Sequence, residues 1–139
     1  MLTPEENDLL CRVEGKAPMG QLMRRHWQAI CLLEEVSEPD GKPIRARVLG
    51  EDLVVFRDTE GRVGVMDEYC PHRRASLVYG RNENCGLRCL YHGWKMDVAG
   101  KACPCGCASS NKVMSVASNC LLVTRSGVKC SLIYRLCFV

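Results

Sequence analysis

Cys70-Pro71-His72 and Cys89-Leu90-Tyr91-His92 form two short motifs, C-x-H and C-x-x-H, separated by sixteen residues. Each offers one thiolate and one imidazole, donors that bind soft and borderline transition metals. Two such loops brought together can set both sulfurs on one metal and both imidazoles on another. That suits a binuclear iron–sulfur cluster whose two irons differ in ligation, because thiolates favour ferric iron and neutral imidazoles reduce the negative charge at the other iron and raise its potential. Pro71 stiffens the first loop, and Gly93 permits a close backbone turn after His92.

The same donors also match a zinc site of the Cys2His2 type. Zinc fingers pair cysteine with cysteine at the short spacing, whereas both short spacings here mix Cys with His. A reading as four unrelated core residues fits poorly with two motifs that both lie on turn-flanked loops.

Around these loops the chain reads as mainly β. AICLL from Ala29, PIRARVLG, DLVVFRD and VGVMDE are strand-like runs separated by the turn-rich EPDG, GED and DTEG, which predicts an antiparallel meander. DLVVFRD is apolar enough to be buried on both faces. LRCL at 87–90 and KMDV at 95–98 predict two further strands. Ahead of the strands, Thr3, Pro4 and Glu6 form a capping-box start for a helix through about Arg12. Met19, Leu22, Met23 and Trp27 carry helical spacing over a second segment. The division that follows is a helical segment over 1–28, the cluster-bearing domain over 29–101 and an atypical tail over 102–139.

With 139 residues and a net charge of +3, the chain has room for one ordinary domain, and nothing in its charge calls for nucleic acid. MLTPEENDLL lacks the basic start and apolar core of a secretory signal, and no apolar run approaches the roughly 18–20 residues of a membrane span. The expectation is a cytoplasmic protein with no membrane partner, in which eleven cysteines mean thiols and metal ligation rather than disulfides.

The cysteines and acids are unevenly spread. Residues 1–101 hold five of the cysteines and all sixteen Asp and Glu; residues 102–139 hold six cysteines and no acid. That composition reads as a non-native tail, a frameshifted or truncated remnant of a further domain. Against it stands a soft-metal thiolate site at Cys103, Cys105 and Cys107, for which no matching second half exists.

The segments CPHRRASL and CLYHGWKMD resemble the Rieske iron–sulfur signature in its oxygenase branch, and residues 1–101, including RRHW before the first strand, are similar to the phthalate 4,5-dioxygenase-like oxygenase (alpha) components of aromatic-ring-hydroxylating oxygenases. The resemblance implies small antiparallel sheets with a [2Fe-2S] cluster at the tip of two loops, Cys70 and Cys89 on one iron and His72 and His92 on the other. Respiratory Rieske proteins are less similar. They carry a disulfide between the two loops, where this chain has Ala75 and Tyr91, and hydrogen-bonding Ser and Tyr donors where it has Trp94 and Met96. Fewer donors imply a low potential, near the lower end of the roughly −150 to +300 mV Rieske range.

In the resembled family an NAD(P)H-dependent reductase supplies electrons, full-length members form trimers, and a mononuclear Fe(II) held by two histidines and a carboxylate hydroxylates the substrate. This chain has three histidines, and with His72 and His92 assigned to the cluster only His26 remains. The mononuclear iron is therefore expected only in a catalytic domain that this chain lacks, and the chain alone should not hydroxylate. A stand-alone Rieske ferredoxin is the alternative. The N-terminal helices and RRHW favour the oxygenase reading, because a minimal ferredoxin would begin near the first strand.

The remaining candidates have bland readings. Arg73 and Arg74 could dock an acidic partner or simply be solvated. Trp94 reads as core rather than as a docking residue, His26 as a partly buried surface residue, and Cys11, Cys31 and Cys85 as packed thiols.

Overall fold

The computed structural model describes residues 1–101 and, as backbone strands, Cys120–Val123 and Ser131–Tyr134. The atypical tail, with Cys103, Cys105 and Cys107, otherwise lies outside the described residues.

Helix α1 (Pro4–Cys11) begins with the capping box the sequence predicts. The Glu6 amide donates to Thr3 Oγ1 at 3.2 Å, and the Thr3 amide donates to Glu6 Oε2 at 2.8 Å. Helix α2 (Pro18–Met23) is shorter than the apolar spacing implies. The amides of Arg25 and His26 bond back only three residues, to Leu22 and Met23, which tightens and ends the helix. His26 and Trp27 therefore fall outside it, and His26 is exposed rather than partly buried.

Arg24, at the end of α2, is turned inward and only 4% exposed. It donates to the carbonyls of Val13 and Leu49 and, through Nε and Nη2, to Glu51 Oε1. This guanidinium fastens the helical segment to the β structure.

Strands β1 (Gln28–Leu32), β2 (Ile44–Val48), β3 (Glu51–Arg57) and β4 (Val63–Asp67) follow the predicted runs. The meander, however, contains only β2, β3 and β4, with Ile44 opposite Val55 and Val55 opposite Val65. A 3-10 turn at Leu33–Val36 and the bends after it separate β1 from β2 by more than a hairpin allows. Strand β1 instead pairs with β9 (Ser131–Tyr134), which pairs with β8 (Cys120–Val123). A third sheet is made of β5 (Arg81–Asn82), β6 (Leu87–Arg88) and β7 (Lys95–Met96). Strand β5 is two residues long, too short to show alternation in the sequence.

Strand β3 is buried on both faces and divides two cores. Leu53 and Val55 pack with Val36, Ala46 and Val65. On the other face Val54 and Phe56 pack with Met66, Leu77, Leu87 and Met96, and with the two motif cysteines, Cys70 and Cys89. Burying side chains such as Phe56 and Leu87 contributes about 1.5–3 kcal/mol each. The second core is thus the floor on which both loops stand.

Candidate metal centre

The two loops close with the same hydrogen bonds. In the first, the Cys70 amide donates to the Ala75 carbonyl at 2.9 Å, and the Arg74 amide donates to the Cys70 carbonyl at 2.8 Å. In the second, the Cys89 amide donates to the Trp94 carbonyl at 2.7 Å, and the Gly93 amide donates to the Cys89 carbonyl at 3.0 Å. Each loop turns through a left-handed residue four places after its cysteine, Arg74 at φ 53° and Gly93 at φ 73°. Glycine adopts that conformation freely; arginine does so at some cost, and the Arg74 guanidinium lies 4.8 Å over the Tyr69 ring.

Glu68 anchors the first loop from below. Its carboxylate is 1% exposed and accepts from Arg45 Nε at 2.8 Å, from Arg45 Nη2 and from Ser76 Oγ at 2.6 Å. Its carbonyl accepts from the Leu77 amide at 2.7 Å, beside the bridge between Tyr69 and Ser76. The Arg45 guanidinium holds the Glu68 carboxyl below its ordinary range despite burial, with Ser76 adding to the effect, and Glu68 raises Arg45 in return. Nothing in the sequence singles out Glu68, because a charged residue at a strand end gives no sign that it is buried.

Cys70 and Cys89 are each 2% exposed, whereas His72 and His92 are exposed. The two loops bring the four motif residues together, thiols inward and imidazoles outward. The imidazole centroids are 4.3 Å apart, the rings inclined at 68°. Burial pushes the Cys70 thiol up, opposed by the backbone N–H of His72, while neighbouring Cys89 raises it further. Desolvation, then the nearby His72 and Arg73, push His92 down, towards the neutral form that ligates metal.

Trp94 is not fully buried core. It lies half-buried at the edge of the second core, stacked on His72 with centroids 5.0 Å apart and planes 4° apart. Arg73 and Arg74 are exposed, as are Leu90 and Tyr91 beside His92. Cys11 is exposed rather than packed, and Cys31 and Cys85 are half-buried.

Two buried thiols beside two outward imidazoles are the donor set that a binuclear cluster with unlike irons would take. Elsewhere among the described residues, Asp58, Glu60 and Cys85 have ligand atoms within 4.8 Å of one another. Arg62 already pairs with both of those carboxylates, at 2.7 Å from Asp58 and 3.0 Å from Glu60.

Comparison with known proteins agrees with this geometry. The family described as "Rieske [2Fe-2S] domain" matches residues 26–117. The phthalate 4,5-dioxygenase oxygenase subunit of Pseudomonas putida is 85% identical over 100 residues, 72% of this chain and 23% of that protein. The 3-chlorobenzoate-3,4-dioxygenase oxygenase subunit of Comamonas testosteroni is 50% identical over 101 residues, 73% of this chain and 23% of that protein. Among solved structures, dicamba monooxygenase superposes with a TM-score of 0.63 at 30% identity, covering 81% of this chain and 35% of that one. The chain therefore spans about a quarter of the length of these curated relatives. Its small antiparallel sheets, the two loops and these likenesses together establish that the chain belongs to the Rieske [2Fe-2S] domain family.

Proposed function

We propose that this chain is the electron-transfer portion of an aromatic-ring-hydroxylating oxygenase, with Cys70 and Cys89 holding one iron of the cluster and His72 and His92 the other. The observation that carries this reading is the pair of loops closed by the same hydrogen bonds, with buried thiols and exposed imidazoles. The cluster supplies one-electron chemistry. The protein's part is to keep the thiol side dry in the second core while presenting the imidazole side, flanked by Leu90, Tyr91 and Arg73, to partners.

The partners follow from the relatives, which are named as oxygenase subunits and dioxygenase components. An NAD(P)H-dependent reductase delivers electrons to the exposed imidazole face. The acceptor is a mononuclear non-heme iron in a catalytic domain of the oxygenase, and assembly as a trimer belongs to the full-length protein. Hydroxylation is not assigned to this chain alone. No helix among the described residues is long and apolar enough to cross a membrane, and a cytoplasmic setting suits a chain this rich in cysteine thiols.

The test is reduction of anaerobically purified protein by a reductase with NADH, followed by oxygen uptake with an aromatic acid. The cluster should bleach on reduction, with no hydroxylated product. A protein whose iron does not respond to any electron donor would overturn the proposal.

A further inference from the structure

The second loop reaches across to a proposed ligand on the first. The Trp94 carbonyl closes its own loop by accepting from the Cys89 amide at 2.7 Å, so its backbone is tied directly to one motif cysteine. Its indole lies flat on the His72 imidazole, from the other motif. The remaining rings are arranged differently: His92 meets His72 edge-on and is tilted at 55° to Tyr91, with centroids 4.2 Å apart. Tyr91 is exposed, whereas Trp94 is half-buried against the second core. A half-buried ring held by its own backbone and by packing is a rigid template. An exposed one is not.

We infer that Trp94 is a positioning residue, which fixes the plane of the His72 imidazole and couples that ligand's orientation to the second loop. This rests on the ligand assignment proposed above. A histidine on an exposed loop can occupy several rotamers about its two side-chain torsions, and the ring stacked on His72 comes from the second loop, not its own. The indole face removes much of that freedom at a cost already met by packing Trp94 on the core. Orientation of a ligating ring by a neighbouring group is the usual way in which a protein adjusts a metal site beyond its direct donors.

The test compares Trp94→Leu, which keeps an apolar side chain but no ring, with Trp94→Phe, which restores a flat ring. Iron is loaded anaerobically, and two readouts are taken: nitrogen hyperfine couplings with the anisotropy of the reduced spin-resonance signal, and the rate of iron loss to a chelator. The expected result is a changed anisotropy in Trp94→Leu with iron loss faster by about twofold to tenfold, the scale of one aromatic stacking contact. Trp94→Phe should bring both readouts back towards wild type. Wild-type behaviour of Trp94→Leu in both readouts would overturn the inference, as would a Trp94→Phe protein displaced as far as Trp94→Leu. If Trp94→Leu takes up no iron, Trp94→Phe decides: a wild-type signal supports the positioning role, and failure to load overturns it. Wild-type protein without two coupled nitrogens would instead defeat the ligand assignment, so the two failures are distinct.

Discussion

Arg74 and Gly93 occupy equivalent places in the two loops: each donates its amide to the carbonyl of the cysteine four residues earlier, and each has a left-handed φ, 53° and 73°. The histidines do not share that equivalence, since His72 is two residues after its cysteine and His92 three. One turn design therefore serves both cysteines, while the extra residue in the second motif shifts His92 relative to His72.

Gly93→Ala should destabilise the protein by about 1 kcal/mol, from backbone conformation alone, because no atom lies within 4 Å of the position a Cβ would take. Arg74→Gly should be close to neutral, relief of the left-handed arginine being offset by loss of the contact with Tyr69. Thermal denaturation of the iron-loaded variants measures both.

Glu68 gives the fold an acid-sensitive support. Its carboxyl is depressed in the folded state by Arg45, so its contribution is fully present above the ordinary carboxylate range and is lost as pH falls through the depressed folded value. Glu68→Gln should lower stability by about 1–3 kcal/mol near neutral pH. The gap from wild type should narrow as the pH is lowered through that acidic range. Denaturant midpoints measured across the acid range check this, and a gap of constant size would contradict it. The Arg45 side chain is 52% exposed, so the guanidinium left behind can be solvated, which limits the loss.

Arg24 is predicted to matter for the helical segment and not for the cluster. Arg24→Ala leaves the carbonyls of Val13 and Leu49 and the Glu51 carboxylate without this donor and should cost about 1–3 kcal/mol. The spin-resonance signal of the loaded protein should not change. Limited proteolysis should cut the variant faster between α1 and β1 than it cuts wild type.

Replacing a proposed ligand separates charge from assembly. Cys70→Ala and Cys89→Ala should abolish cluster retention, since each removes a buried thiol of the proposed ligand set. His72→Cys or His92→Cys should lower the potential wherever the cluster survives, because a thiolate adds negative charge to the iron it binds. Potentiometric titration followed by absorbance reads the shift.

The sequence made the two motifs legible because ligand chemistry is local: a thiolate and an imidazole within four positions leave few alternatives. Strand β3 was equally plain, since Leu53, Val54, Val55 and Phe56 in succession suit a strand covered on both faces, and all four are buried. What stayed hidden depends on partners distant in the chain. Glu68 is buried by Arg45, 23 residues away, and Ser76, eight away. Trp94 meets His72 only because two loops fold against each other, so it read as ordinary core. The pairing of β1 with β9 is hidden for a related reason: a strand's pattern shows that it is a strand, not which edge receives it.

The most direct test of the central claim is iron, acid-labile sulfide and zinc analysis of protein purified without air, with the spin-resonance spectrum of the same reduced sample. The account predicts equal iron and sulfide at [2Fe-2S] stoichiometry, together with a rhombic Rieske signal coupled to two histidine nitrogens. One zinc per chain with no iron, or a cluster signal carrying no nitrogen coupling, would contradict it.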